Sequence, residues 1–277
     1  MKNLSFSLYN LSMNILQEIL QHKREELQKT KSEIPLQDLK ERVRDMEPVR
    51  PFAAAIRREP GDHVKLIAEM KKASPSEGLI RRDFSPQNIL STYEKKGVAA
   101  ISVLTESRYF SGSLSYLNQA RKRTTRPVIR KDFIIEDYQV YESRANSADA
   151  ILLIAAALDR SHLSDLYDRA GELSLDCLVE VHNWKELDSA LYMGAEIVGI
   201  NNRDLVTMKT SLDISFSLMR DIPDDRIVVS ESGIHSRADV EALDATRADA
   251  ILVGTTIMKA DDIAAKIDEL MGAPYEA

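Results

Sequence analysis

From residue 64 onward the chain alternates short apolar runs with amphipathic stretches, and it does so eight times. The runs are VKLIAEM (64–70), AAISVLT (99–105), PVIRKD (127–132), DAILLIA (149–155), LDCLVEV (175–181), EIVGINN (196–202), RIVVSES (226–232) and DAILVGT (249–255). They are rich in Val and Ile and mostly lack strict in–out alternation, as parallel strands buried on both faces do. Between them, stretches such as PQNILSTYEKKG, SLSYLNQARKRT and RADVEALDAT carry helical spacing. GVAAISV, SADAILLI, GAEIVGI and RADAILVG repeat one plan: a helix ends, a small or acidic residue follows, and an apolar strand begins. Eight βα units predict an α/β fold, a (β/α)8 TIM barrel over about residues 60–270. A doubly wound open sheet is the alternative, although neither GxGxxG nor GxxxxGK[ST] occurs.

Before residue 60 the pattern is helical. NILQEILQHKREELQ (14–28) sets Ile15, Leu16, Ile19, Leu20 and Leu27 on one face. LQDLKERVRDM predicts a second helix, and Pro48 and Pro51 bracket a turn before FAAAIRRE. Residues 13–277 therefore read as one barrel domain with N-terminal helices over 13–60. Residues 1–12 read as a disordered leader or an upstream start, because Met13 begins the better helical pattern.

Composition narrows the function classes. The net charge is −7, aromatics make up 6% of the chain and Trp184 is its one tryptophan, which argues against nucleic acid and anionic membranes as partners. No apolar run approaches the ~20 residues of a membrane span. The single cysteine, Cys177, forbids an intrachain disulfide, and no signal or transit peptide is legible, so the expected location is cytoplasmic. No fused partner domain is expected after the eighth unit, and oligomeric state is not legible.

Candidate chemistry gathers at the strand ends, where barrels of this kind build active sites. Glu69 and Lys71 are two residues apart and share a face, while Lys72 points the other way. Charges facing a barrel interior are costly unless paired or used, so a structural ion pair is the alternative for Glu69 and Lys71. Only 10 of 277 residues are glycine, against a usual ~7%. Gly233 and Gly254 nevertheless stand at the ends of runs seven and eight, beside Ser232 and Thr255, where barrels commonly hold phosphate. Tight strand-to-helix turns are the alternative there. Cys177 is out of phase with Glu180 and should face the helices; His182 is in phase with Glu180, with loop scaffolding its expected role; Trp184 should open and pack the next helix. The five histidines lack metal-ligand spacing, so no metal site is expected.

AEMKKASPSEG, ISVLTESRYFSGS, VIRKDFIIEDYQVYESR, LVEVHN, GINNRDL and VSESGI, in this order, resemble the indole-3-glycerol-phosphate synthase family of tryptophan biosynthesis, with a match from about residue 14 to 270. The resemblance implies a barrel with an N-terminal helical extension, a phosphorylated small-molecule substrate, and no metal or organic cofactor. It implies Lys131 as general acid, Glu180 as base, Glu69 as a carboxylate facing the lysines, Lys71 as a carboxylate anchor or second acid, and Asn201 as a polar catalytic contact. It further implies Ser74 and Arg203 as substrate contacts, Phe133 and Leu252 as apolar walls, and Ser232, Gly233, Gly254 and Thr255 as the phosphate cradle. Lys71 and Arg130 are the expected neighbours that lower the pKa of Lys131, and Lys71, Lys72, Arg130, Lys131 and Arg203 the expected field that draws in an anionic substrate. Two rival readings stay open: a phosphoribosyl-type isomerase barrel, and a phosphometabolite-binding protein with a decayed site.

Overall fold

The structure, a computed structural model, describes residues 2–204 and 207–272, with side chains from residue 15 onward. Eight parallel strands close into a barrel: β1 (Lys65–Met70), β2 (Ala100–Leu104), β3 (Val128–Lys131), β4 (Ala150–Ile154), β5 (Asp176–Val181), β6 (Ile197–Asn201), β7 (Ile227–Glu231) and β8 (Ala250–Val253). β8 pairs back with β1, Ala250 against Lys65 and Val253 against Ala68, so the barrel has no open edge and the doubly wound alternative is excluded. Each strand lies within the apolar run that predicted it.

Alternation sorts the strand residues into two layers. Ile67, Ile129, Leu152, Leu178, Val229 and Leu252 point into the barrel and fill it. Ile101, Val103, Ile151, Val179, Val198 and Val228 point outward and pack under the surrounding helices. Cys177 lies in the outer layer, as its phase predicts, and burial pushes its thiol pKa up.

The acidic residues that begin the repeated strand motif have a structural task. Asp149 accepts the Val128 N–H at 2.8 Å and the Arg50 N–H at 2.7 Å. Asp249 does the same for Val228 at 2.8 Å and Arg58 at 3.0 Å, and Asp176 accepts the Ala53 N–H at 2.8 Å. Three strand-start carboxylates thus hold the segment that carries the short helix Phe52–Ile56. Phe52 and Ile56 are fully buried within the inner cluster, each contributing roughly 1.5–3 kcal/mol of apolar burial. Among the described residues the N-terminal end of the barrel is therefore plugged, and the opposite mouth stays open.

The first helix, Lys2–Glu33, and the second, Leu36–Arg44, pack against Tyr138 and Ile135. The leader expected over residues 1–12 falls on residues whose side chains are not described. Lys23, 3% exposed, anchors the first helix to the end of β3 through Asp132 at 3.0 Å. Trp184 opens the helix Trp184–Tyr192 as expected, but it is 48% exposed and does not pack as predicted, because the buried face of that helix is formed by Leu187 and Ala190. Among the described residues no helix is long and apolar enough to cross a membrane.

Candidate active site

Strand alternation carries the inner layer upward from apolar to charged. Above Ile67 comes Glu69, above Ile129 comes Lys131, above Leu178 comes Glu180, and above Val229 comes Glu231. Glu69, Glu180 and Glu231 are all buried, and together with Lys71 and Lys131 they line one pocket at the open mouth. Lys131 Nζ reaches Glu180 Oε2 at 3.3 Å and forms a short contact with Glu231 Oε2. Lys71 Nζ holds Glu69 Oε1 at 2.8 Å. Two glycines make room for these acids: a Cβ on Gly254 would collide with Glu69 Oε1, and one on Gly199 with Glu231 Oε1.

Three carboxylates and two ammonium groups in one buried pocket cannot keep ordinary proton affinities. Burial opposes charge on Lys131, but Glu231, Glu180 and Glu69 outweigh it and raise its pKa. Burial also opposes ionisation of Glu69, yet Lys71 and Lys131 hold its carboxyl below the usual value. Glu180 is likewise held low against burial, by Lys131, His182 and a hydrogen bond from Asn201. Glu231 is pushed up to about 7 by burial, with Glu180 and Glu69 adding to the rise and Lys131 opposing it.

Around this charged floor the pocket has an apolar wall and a polar rim. Phe133 and Leu252 line it, with Phe110 packed 6.2 Å from the Phe133 ring centroid. Ile15, Leu16 and Ile19 of the first helix complete the wall. On the rim, the chain turns after β7 through two left-handed residues, Ser232 (φ 66°) and Gly233 (φ 75°). After β8, Gly254 leads directly into the helix Thr255–Lys259, whose first N–H groups have no intrahelical partner. Arg203 donates to the Met208 carbonyl at 3.1 Å, and its own N–H donates to Asn201 Oδ1 at 3.0 Å.

A profile of the family described as indole-3-glycerol phosphate synthase matches residues 16–270. The indole-3-glycerol phosphate synthase of Alkaliphilus metalliredigens (strain QYMF) is 47% identical over 256 residues, 92% of this chain and 97% of that one. The chain belongs to the indole-3-glycerol phosphate synthase family. It closes the indole ring of 1-(2-carboxyphenylamino)-1-deoxy-D-ribulose 5-phosphate with loss of CO2 and water, giving indole-3-glycerol phosphate for tryptophan biosynthesis; it is a carboxy-lyase. More distant solved structures share the fold alone. One is 3-hexulose-6-phosphate synthase from Salmonella typhimurium (TM-score 0.60, 13% identity, 75% of this chain and 96% of that one). Another is the tryptophan synthase a2b2 complex from Pyrococcus furiosus (TM-score 0.57, 15% identity, 75% and 97%).

The thirteen residues to which the family resemblance gave catalytic, substrate or phosphate contacts line one pocket: Glu69, Lys71, Ser74, Lys131, Phe133, Glu180, Asn201, Arg203, Ser232, Gly233, Leu252, Gly254 and Thr255. After β1, Ala73–Ser74 forms a short antiparallel ladder with Gly78–Leu79, and Ser74 is buried there. Arg130 is a correction. It points away from Lys131 into the outer layer, where it pairs with Asp132 and Glu142, each at 2.9 Å. Its charge is matched by these two acids outside the pocket, and the pKa of Lys131 moves up, not down. Lys72 is absent from the pocket lining. Sequence reasoning gave no role to Glu231, although its phase with Ile227 and Val229 marks it as inward-facing. The phase of His182 with Glu180 put the mouth within its reach, although loop scaffolding was the expected role; the imidazole lines the pocket next to Glu180.

Proposed function

We propose that in the ring closure Lys131 is the general acid and Glu180 the base. The observation that carries this is the position of Lys131 Nζ, held between Glu180 and Glu231 at the floor of the pocket. The ring carbon that bears the carboxylate attacks the ketone carbon of the ribulose chain. Lys131, kept protonated by its three acidic neighbours, gives its proton to the oxygen. The developing alkoxide is a stronger base than the lysine amine, so the proton moves as the bond forms. Loss of CO2 restores the benzene ring. Water then leaves: the hydroxyl takes a proton from Lys71, or from Lys131 once that amine has been reprotonated, and Glu180 removes one from the carbon beside nitrogen.

The other lining residues fit the parts of the substrate. Ser232, Gly233, Gly254 and Thr255 are the phosphate cradle, combining hydroxyls with main-chain N–H groups. Lys71, with Ser74 and Arg203, anchors the carboxylate; Glu69 holds the charge of Lys71 and Lys131 and orients the substrate amino group; Asn201 meets the hydroxyls and Glu180. Phe133 and Leu252 hold the aryl ring and exclude water, which strengthens every charge interaction inside. We place the reaction in the cytoplasm, since the substrate carries a phosphate and a carboxylate that oppose membrane crossing.

The test is Lys131→Met in a fluorescence assay for indole-3-glycerol phosphate. Turnover should fall by about 10²–10⁴-fold with the melting temperature retained. Near-parental turnover would remove Lys131 from the role of acid.

A further inference from the structure

His182 stands two residues beyond Glu180, so alternation turns its imidazole toward the same mouth. Only 6% of the side chain is accessible. Its Nδ1 lies 3.0 Å from Glu186 Oε2, and the His182 main-chain N–H donates to the same oxygen at 2.8 Å. Glu186 is fixed in turn. Asn183 Nδ2 donates to its other oxygen at 2.6 Å, and the Glu186 N–H donates back to Asn183 Oδ1 at 3.1 Å, capping the helix Trp184–Tyr192. The ring therefore cannot turn without breaking this clamp.

The remaining nitrogen, Nε2, is buried and has no hydrogen-bond partner, although Glu180 Oε1 stands 3.4 Å away. An orphaned buried nitrogen is costly, by about 1–3 kcal/mol, and the atom it faces belongs to the proposed base. The two oxygens of Glu180 are thus divided, Oε2 toward Lys131 and Oε1 toward His182. We propose that His182, clamped by Glu186, is a positioning residue that fixes the orientation and negative charge of Glu180 for the ring-closing reaction. This inference rests on the reading of Glu180 as base.

The charge state of His182 follows from its surroundings. With Nδ1–H given to Glu186, Nε2 can donate to Glu180 only as the imidazolium. The titratable groups that face the ring are Glu186 from the helix, Glu180 from its own strand and Glu231 from β7, with Lys131 on the far side of Glu180. Burial opposes the imidazolium, but these acids outweigh it and raise the pKa of His182. The imidazolium in turn helps to keep Glu180 ionised. Without it, Glu180 would bind protons more tightly and lose the group that faces Oε1, while Lys131 still holds Oε2.

The experiment is the pH dependence of kcat and KM for the parent enzyme, Glu180→Gln, His182→Gln, His182→Asn and Glu186→Gln. Glu180→Gln should be inactive at every pH. His182→Gln should lower kcat by about 10–100-fold with KM nearly unchanged, and should move the acid limb of the kcat profile up by about one pH unit. Glu186→Gln should move the limb the same way by less. Turnover by Glu180→Gln overturns the base reading itself. If Glu180→Gln is dead while both His182 variants keep the parental kcat and acid limb, the positioning inference alone falls. A kcat loss that is uniform across pH, with the acid limb unmoved in the His182 and Glu186 variants, marks a packing role and overturns it equally.

Discussion

Gly199 and Glu231 compete for one space inside the barrel. A Cβ on Gly199 would overlap Glu231 Oε1 and come within 3.1 Å of Leu178 Cδ1. The requirement is for close approach and not for backbone freedom, since Gly199 is not among the residues with positive φ. Gly199→Ala must therefore shift the Glu231 carboxylate, whose other oxygen, Oε2, holds Lys131. We expect kcat to fall at least about tenfold, with a destabilisation of roughly 1–3 kcal/mol from overpacking. Unchanged turnover in a folded variant would show that the Glu231–Lys131 contact does not matter to the reaction.

Glu231 also makes a prediction about stability and pH. Its folded pKa of about 7 lies above the ordinary 4.5. Between those values the folded protein holds more of this proton than the unfolded chain, so this group makes stability fall as pH rises through the window. Glu69 and Glu180 act oppositely: held below 4.5, they stabilise above that pH and lose the effect as pH falls. Replacing Glu231 with Gln should remove the decline while leaving Lys131 paired to Glu180. Urea denaturation at pH 5 and pH 8 should show the variant losing less stability across the interval than the parent, by a difference on the order of 2 kcal/mol. Equal losses in the two proteins would contradict the raised pKa.

What the sequence made legible follows from what is local. Strand alternation is set by the backbone, so it placed Glu69 and Lys71 on the inner face and Cys177 on the outer one before any fold was known. The same rule contained the answers for Glu231 and Arg130, but Ser232 and Gly233 drew attention from the first, and the nearness of Lys131 in sequence misled for the second. The proton affinity of Lys131 was out of reach, because it depends on acids from β1, β5 and β7 meeting across the barrel. The wall built by Ile15, Leu16 and Ile19 was equally hidden: the helical face was visible, but not that part of it borders the mouth.

The first helix gives a test of buried ion pairing. Asp132 accepts from Lys23 at 3.0 Å, from Arg130 at 2.9 Å and from Thr105 Oγ1 at 2.6 Å, and Lys23 also holds Glu26 at 2.6 Å. Removing one partner of a buried network leaves charge behind without compensation. Lys23→Met should cost about 3 kcal/mol, and the double variant with Asp132→Asn should lose less than the sum of the two single changes. Strict additivity in chemical denaturation would mean that the helix is held by its apolar face and not by this contact.

The phosphate cradle is best tested at Gly233, where two effects can be separated. Its φ of 75° lies in the left-handed region, and a Cβ there would meet Thr210 Cβ at 3.3 Å. Any side chain thus brings strain of roughly 1–2 kcal/mol, so Gly233→Ala measures the backbone cost and the Thr210 contact without added charge. Gly233→Asp has the same backbone cost and adds a negative charge beside the proposed phosphate. If the phosphate sits there, the two variants should lose similar stability, but only the aspartate should raise KM, by about tenfold or more, since about 1.4 kcal/mol of repulsion is worth that factor. Inhibition by inorganic phosphate should weaken in parallel, because that ion reports the cradle without the aryl ring or the carboxylate. Equal KM values for the alanine and aspartate variants would place the phosphate elsewhere on the rim.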